Sequence, residues 1–188
     1  MTDTKKQARW IRWFRWLHRK IAIFLFVFFL LISITGLLLG TKKQTGILAP
    51  TQKGISADLS TWLPVDSLQR IATRILRDSL SPGLSPELDR IDIRPQKGIV
   101  KFVFKHHYKG LQLDGTTGSL LLVEERKADF IEDLHDGSLL DNLFGTSDEQ
   151  IKVGYTLVMG LSLLMLVISG FWLWYGPKRI RRIRSQKS

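Results

Sequence analysis

Residues 21–40 read "IAIFLFVFFLLISITGLLLG", twenty residues without a charge. A helix rising 1.5 Å per residue needs about 20 such residues to cross ~30 Å of hydrocarbon. A second run, "VGYTLVMGLSLLMLVISGFWLWY" at 153–175, is 23 residues without a charge. Backbone groups find no water in a bilayer core, so such runs are expected as helices. The first run is too long for the 7–15-residue core of a signal peptide and no A-x-A site follows it, so it reads as an uncleaved anchor. The expected architecture is a membrane protein with two transmembrane α-helices enclosing an α+β domain.

The charge of +11 is unevenly spread. Residues 1–20 carry seven Lys/Arg and one acid, residues 176–188 carry six Lys/Arg and no acid, and residues 41–152 carry 15 basic and 16 acidic residues. Basic flanks resist translocation, which predicts cytoplasmic termini and an external middle. Interleaved Arg and Trp in "RWIRWFRWLHRK" also suit a nucleic-acid stacking platform. Next to an apolar run they fit a lipid-facing belt better, so no nucleic-acid partner is expected. Trp10, Trp13 and Trp16 at one end, with Trp172 and Trp174 in the second run, are candidate membrane anchors. Small residues mark possible helix-packing faces: Gly36 and Gly40 in the first run, Gly160 and Gly170 in the second.

The chain has no cysteine. Disulfides, thiolate metal sites and covalent haem attachment are thereby excluded, whereas a haem held non-covalently by histidine is not. No nucleotide-binding fingerprint or nucleophile–base–acid set is legible.

Seven segments divide the chain. Residues 1–20 form a basic, Trp-rich cytoplasmic segment and 21–40 the first span. Residues 41–63 are a connector, with Trp62 and Leu63 placed to tuck it against the external domain at 64–127. Residues 128–152 form an interfacial helical segment. The second span occupies 153–175, and a basic cytoplasmic tail 176–188. Within 64–127, Val65, Leu68, Ile71, Ala72, Ile75 and Leu76 recur at helical spacing over 64–80. "LDRIDIRP", "GIVKFVFKH" and "YKGLQLDGTTGSLLLVEE" alternate as four strands with a turn at 114–118. One helix covering an antiparallel meander is the expectation. "LDGTTG" has too few ligands for a calcium loop.

The helix, the meander and the L-D-x-x-T-G turn resemble a PepSY domain. With "WLHRKIAIFLFVFFLLISITGLLLG" before it, and "LHDG" and "ISGFWLWYGPKR" after it, the chain is similar to the PepSY-associated transmembrane family over about residues 9–184. The resemblance implies a bacterial inner-membrane protein with a periplasmic PepSY-like domain. Some such proteins are haem-containing reductases acting on iron in siderophores. It also places His18 and His135 where that family has its two membrane-edge histidines.

The residues themselves leave both histidines open. His18 is either a polar belt residue among Arg15, Arg19 and Lys20, or an axial ligand of haem b facing another helix. His135, in "DFIEDLHDGSLL" (129–140), is either a solvated cation or a second haem ligand, with Glu132 and Asp136 near enough in sequence to fix its tautomer. Ser138 and Asp141 read as a capping pair opening a new helix. One histidine per membrane edge implies a homodimer, or a partner membrane subunit, to complete each site. His106 and His107, adjacent on a strand, face opposite ways and read as turn residues. Two functions remain open: a haem-binding redox component serving ferric-siderophore reduction, or a non-enzymatic accessory subunit whose PepSY-like domain binds a periplasmic partner.

Overall fold

A computed structural model describes residues 2–146 and 149–185. Part of the predicted basic tail, residues 186–188, lies outside the described residues. The chain folds as two compact units, Leu37–Leu134 and Met1–Gly36 with His135–Ser188.

In the first unit, β1 (Leu88–Arg94), β2 (Ile99–Phe104), β3 (Lys109–Asp114) and β4 (Leu120–Glu125) form an antiparallel sheet in the order β1-β2-β3-β4. The order follows from the alternation and the short connections. Phe102 pairs with Leu111 and Val100 with Leu113 across β2 and β3. These side chains point to one face, where they meet Leu68, Ala72 and Leu76; all seven are fully buried. Those last three come from α3 (Val65–Ile75) and the wider π turn at Leu76–Leu80 that extends it. The apolar stripe predicted over 64–80 is therefore the lid of the sheet.

The opposite face is covered by the chain leading into the domain. Gln112 donates to the Pro50 carbonyl at 3.0 Å and accepts from the Gln52 amide at 2.9 Å. The Gly54 amide donates to the Lys97 carbonyl at 2.7 Å. A Cβ at Gly54 would stand 2.0 Å from the Gly98 oxygen, so only glycine lets the strap lie this close. Trp62 closes over Gly115, and its indole donates to the Ser56 carbonyl at 2.9 Å.

Asp114 ties strap to turn. One carboxylate oxygen accepts from the Thr116 and Thr117 amides and the Thr117 hydroxyl, the other from the Ile55 amide at 2.6 Å. Burial pushes this carboxyl up, but these donors outweigh burial and hold it below the usual range. A depressed folded pKa adds stability that is present above the unfolded value, about 3.9, and lost as pH falls through the folded value. Asp114→Asn is expected to remove that acid-side dependence and to cost about 1–3 kcal/mol, because its amide would face the Ile55 N–H. Hydrogen exchange of β2 and β3 amides, followed down in pH, measures both effects. Unchanged protection in the variant would show that the strap does not depend on this carboxylate.

The second unit corrects the expected two-span architecture. Residues 2–40 form not one continuous helix but two, α1 (Thr2–Phe24) and α2 (Phe26–Gly40), bent by 64° at Leu25. Leu25 is buried while Phe24 and Phe26 beside it are exposed. No proline or glycine stands at the break, and a count of apolar residues registers length, not straightness. α2 alone, at 15 residues, spans about 22 Å, short of the hydrocarbon thickness. Among the described residues, only α6 (Gln150–Ser185) is by itself long and apolar enough to cross a membrane, and the bent pair qualifies only if counted as one span. At 36 residues α6 is about 54 Å long.

Two short helices precede α6. α4 (Lys127–Asp136) ends at Gly137, whose φ of 86° starts α5 (Ser138–Phe144) in a new direction. The predicted Ser138–Asp141 capping pair is not formed. Asp136 accepts from the Ser138 amide and hydroxyl at 3.0 and 2.7 Å instead. Asp141 reaches forward to the start of α6, accepting from the Ile151 and Lys152 amides at 2.9 and 2.7 Å and from the Thr146 hydroxyl. It thus satisfies two of the orphan amides of that long helix.

Candidate functional site

α1 packs antiparallel on the C-terminal half of α6. A Cβ at Gly176 would stand 2.9 Å from Ile11, Phe14 and Trp172 have ring centroids 6.3 Å apart, and His18 meets Ser169. His18 Nδ1 lies 2.8 Å from Ser169 Oγ. His135, in the last turn of α4, repeats the arrangement, with Nδ1 2.8 Å from Thr35 Oγ1 of α2. In each case a hydroxyl residue inside an apolar run, with a glycine next to it, holds a histidine distant in sequence.

Each hydroxyl also lies in donating geometry to its own helix. Thr35 and Ser169 are buried, 3% and 1% exposed. Each donates its single proton back to its own helix: Thr35 to the Leu31 carbonyl at 2.8 Å, Ser169 to the Leu166 carbonyl at 3.1 Å. With the hydroxyl proton placed there, each oxygen accepts from the imidazole and Nδ1 carries the hydrogen. In the neutral ring the lone pair is then on Nε2. Neither Nε2 has a hydrogen-bond or ion-pair partner among the described residues. Both rings are half-buried.

The carboxylates predicted to orient His135 do not do so. Asp136 accepts from the Ser138 amide and pairs with Lys152 at 3.2 Å, and Glu132 is exposed. Gly36 and Gly170 face histidine rather than a neighbouring helix backbone: Cβ atoms there would lie 3.5 Å from His135 Cε1 and 3.7 Å from His18 Cε1. Gly40 and Gly160 have no described atom within 4 Å of a Cβ position, so they mark no close packing within the chain. Trp10, Trp13, Trp16 and Trp174 are 45–60% exposed, whereas Trp172 packs against Phe14.

The other two histidines are occupied. His107 Nδ1 accepts from the Lys109 amide at 3.2 Å, so its Nε2–H donates to the Ser85 carbonyl at 3.0 Å. His106 stands exposed in the hairpin, 3.4 Å from Glu87.

His18 and His135 cannot meet at one metal. His135 lies two residues from Gly137, which abuts Tyr155, while His18 lies against Ser169. Those α6 positions are 14 residues apart, about 21 Å along the helix. No group of three or more His, Cys, Asp or Glu able to hold a metal occurs among the described residues. Each histidine offers a single nitrogen donor, a half-buried imidazole held through Nδ1 with no partner at Nε2 among the described residues, which is a donor type that suits haem iron.

The sheet unit has a groove of about 540 Å³ lined by Leu84, Tyr108, Arg126, Lys127, Phe130 and Ile131, among others. Tyr108 donates to Asp133 at 2.7 Å and stacks edge-on against Phe130. Burial, with help from Asp133, pushes its phenol well above the usual range, so it stays a neutral donor. Arg126 is locked by Asp129 at 2.6 Å and by the Phe104 carbonyl.

No family model matches the chain, and no curated protein or solved structure matches it.

Proposed function

We propose that the chain is a haem-binding redox component of a bacterial inner membrane, similar to PepSY-type ferric-siderophore reductases. His18 and His135 are the ligands of two separate b haems. The observation that carries this reading is a shared arrangement: both histidines, and no other, are engaged by a buried hydroxyl through Nδ1 and have no partner at Nε2 among the described residues. Haem b, when bound, supplies a one-electron iron couple.

The chain's own residues do the rest. Thr35 and Ser169 hold each ring through Nδ1, which leaves Nε2 to ligate. Arg15 and Arg19, exposed beside His18, are available to pair with propionates. Each site has one histidine, so its second ligand comes from another copy or a partner membrane subunit. The basic ends of α1 and α6, brought together by antiparallel packing, face the cytoplasm, and residues 41–152 face the periplasm. The sequence carries no nucleotide-binding fingerprint, so electrons arrive from a partner and leave towards periplasmic ferric siderophore.

Titrating the detergent-solubilised chain with haem tests the proposal. Two low-spin sites of similar occupancy are expected, and absence of binding contradicts it. Thr35→Val keeps the shape but removes the acceptor. It is expected to weaken the His135 site about tenfold or more while sparing the His18 site.

The Tyr108–Phe130 groove favours a second reading. In it the PepSY-like unit docks a periplasmic partner and the chain is a non-enzymatic accessory. Binding of partner segments that survives loss of both histidines supports that reading over the first.

A further inference from the structure

Residues 6–24 and 170–185 contain no acid. Yet they carry exposed Arg9, Arg12 and Arg15 on α1, and Lys178, Arg179 and Arg182 on α6. The contacts of Ile11 with Gly176 and of Phe14 with Trp172 put these two basic stretches side by side. In residues 41–152 acids stand among the cations and several pair with them: Arg70 with Asp66, Lys101 with Glu124, Lys105 with Glu87, Lys109 with Glu125, Arg126 with Asp129, Lys152 with Asp136. Among the described residues, Arg9, Arg12, Arg15, Lys178, Arg179 and Arg182 have no ion pair. Gathering so many like charges is repulsive unless an anionic partner neutralises them.

The surface also carries large aromatics. Trp10, Trp13 and Trp16 are 48, 45 and 52% exposed and alternate with the arginines every three residues. Trp10 and Trp13 pack edge to face at 5.7 Å, and Lys178 lies 3.7 Å over the exposed Trp174 ring. Indole belongs at the level of lipid headgroups. α6, about 54 Å long, exceeds the ~30 Å hydrocarbon by enough to carry its basic end into that layer. A helix locked to α6 presents its arginines at a fixed depth, unlike a loose basic tail.

We infer that the adjoining basic, Trp-rich ends of α1 and α6 form a recognition surface for anionic phospholipid headgroups. The phosphates are held by Arg9, Arg12 and Arg15, and the helix depth is set by the three tryptophans. The inference rests on α6 lying in a bilayer and does not depend on haem.

The test reconstitutes the full chain in phosphatidylcholine vesicles containing spin-labelled phosphatidylglycerol or spin-labelled phosphatidylcholine. The motionally restricted fraction of each is compared. The anionic label is expected to be preferred by at least about fivefold, the gain from one arginine near such a surface. That preference should fall towards unity in 1 M salt, where screening acts within about 3 Å. It should fall likewise in R9Q/R12Q/R15Q at low salt. The salt arm needs no variant and so stands even if the triple variant misfolds. Equal association of both labels with the parent, or a preference undiminished by salt, overturns the inference. Equal lipid association with salt-sensitive retention of a single-stranded oligonucleotide overturns it in favour of nucleic acid. A chain that does not float with the vesicles overturns the membrane reading as well, which separates the two failures.

Discussion

Full-length chain carrying both His18→Ala and His135→Ala is expected to be purified colourless from cells in which the parent is red. Each single replacement is expected to remove about half of the haem. The halving follows from geometry: the His18 ring lies against Ser169 of α6 and the His135 ring against Thr35 of α2, and the two share no partner, so their contributions add. His106→Ala and His107→Ala are expected to retain the full complement, because His107 has both ring nitrogens engaged within the sheet unit and His106 is exposed beside Glu87. Loss through misfolding is separated by hydrogen exchange. Protection of the β2 and β3 amides is expected to be unchanged, since neither replaced histidine belongs to that core. A double variant with the parent's haem content sinks the assignment of both ligands.

Lys101→Met is expected to be among the most damaging single changes in the sheet unit. Lys101 donates to Glu124 at 2.7 Å on the strap-covered face, with side chains only 10% and 4% exposed. Gln112 donates to the second oxygen of Glu124 at 3.1 Å and to the strap at Pro50. Methionine matches the lysine stem but leaves the Glu124 carboxylate buried without its cation. Stranding a buried charge in this way costs about 3–5 kcal/mol. The pair itself contributes far less, because desolvation offsets most of its attraction. Lys101→Met with Glu124→Leu together is therefore expected to recover most of the loss. Gln112 keeps its bond to Pro50 in the double variant, so the strap retains its anchor. Denaturant unfolding, read through exchange of the strand amides, measures both variants. A single variant within about 1 kcal/mol of the parent means that water reaches this pair and the strap does not seal it.

The parts legible in the sequence are those whose signal is local. Alternation in 88–125 gives four strands, and the stripe from Leu68 to Leu76 gives the helix that covers them. Histidine positions are visible for the same reason, each standing out against a charged or apolar neighbourhood. What governs the histidines is not. Thr35 lies 100 residues from His135, and Ser169 lies 151 residues from His18. Such pairings depend on which faces of separate helices meet. The only trace in the sequence is a hydroxyl–glycine pair, Thr35–Gly36 and Ser169–Gly170, inside each apolar run. The glycines stand out as packing positions, but the role of the hydroxyls beside them does not. Asp141 reads as a cap of its own helix because a capping box is local; its partners lie ten and eleven residues ahead. The 64° bend at Leu25 is hidden because apolar length carries no information about direction.

The most direct measurement is the reduced-minus-oxidised absorption spectrum of the intact parent, purified in mild detergent from haem-replete cells. The account predicts a sharp Soret shift and a narrow α band of low-spin, bis-imidazole iron. A purified, folded parent with no Soret absorption would contradict it, and the Nε2 atoms of His18 and His135 would then need another purpose.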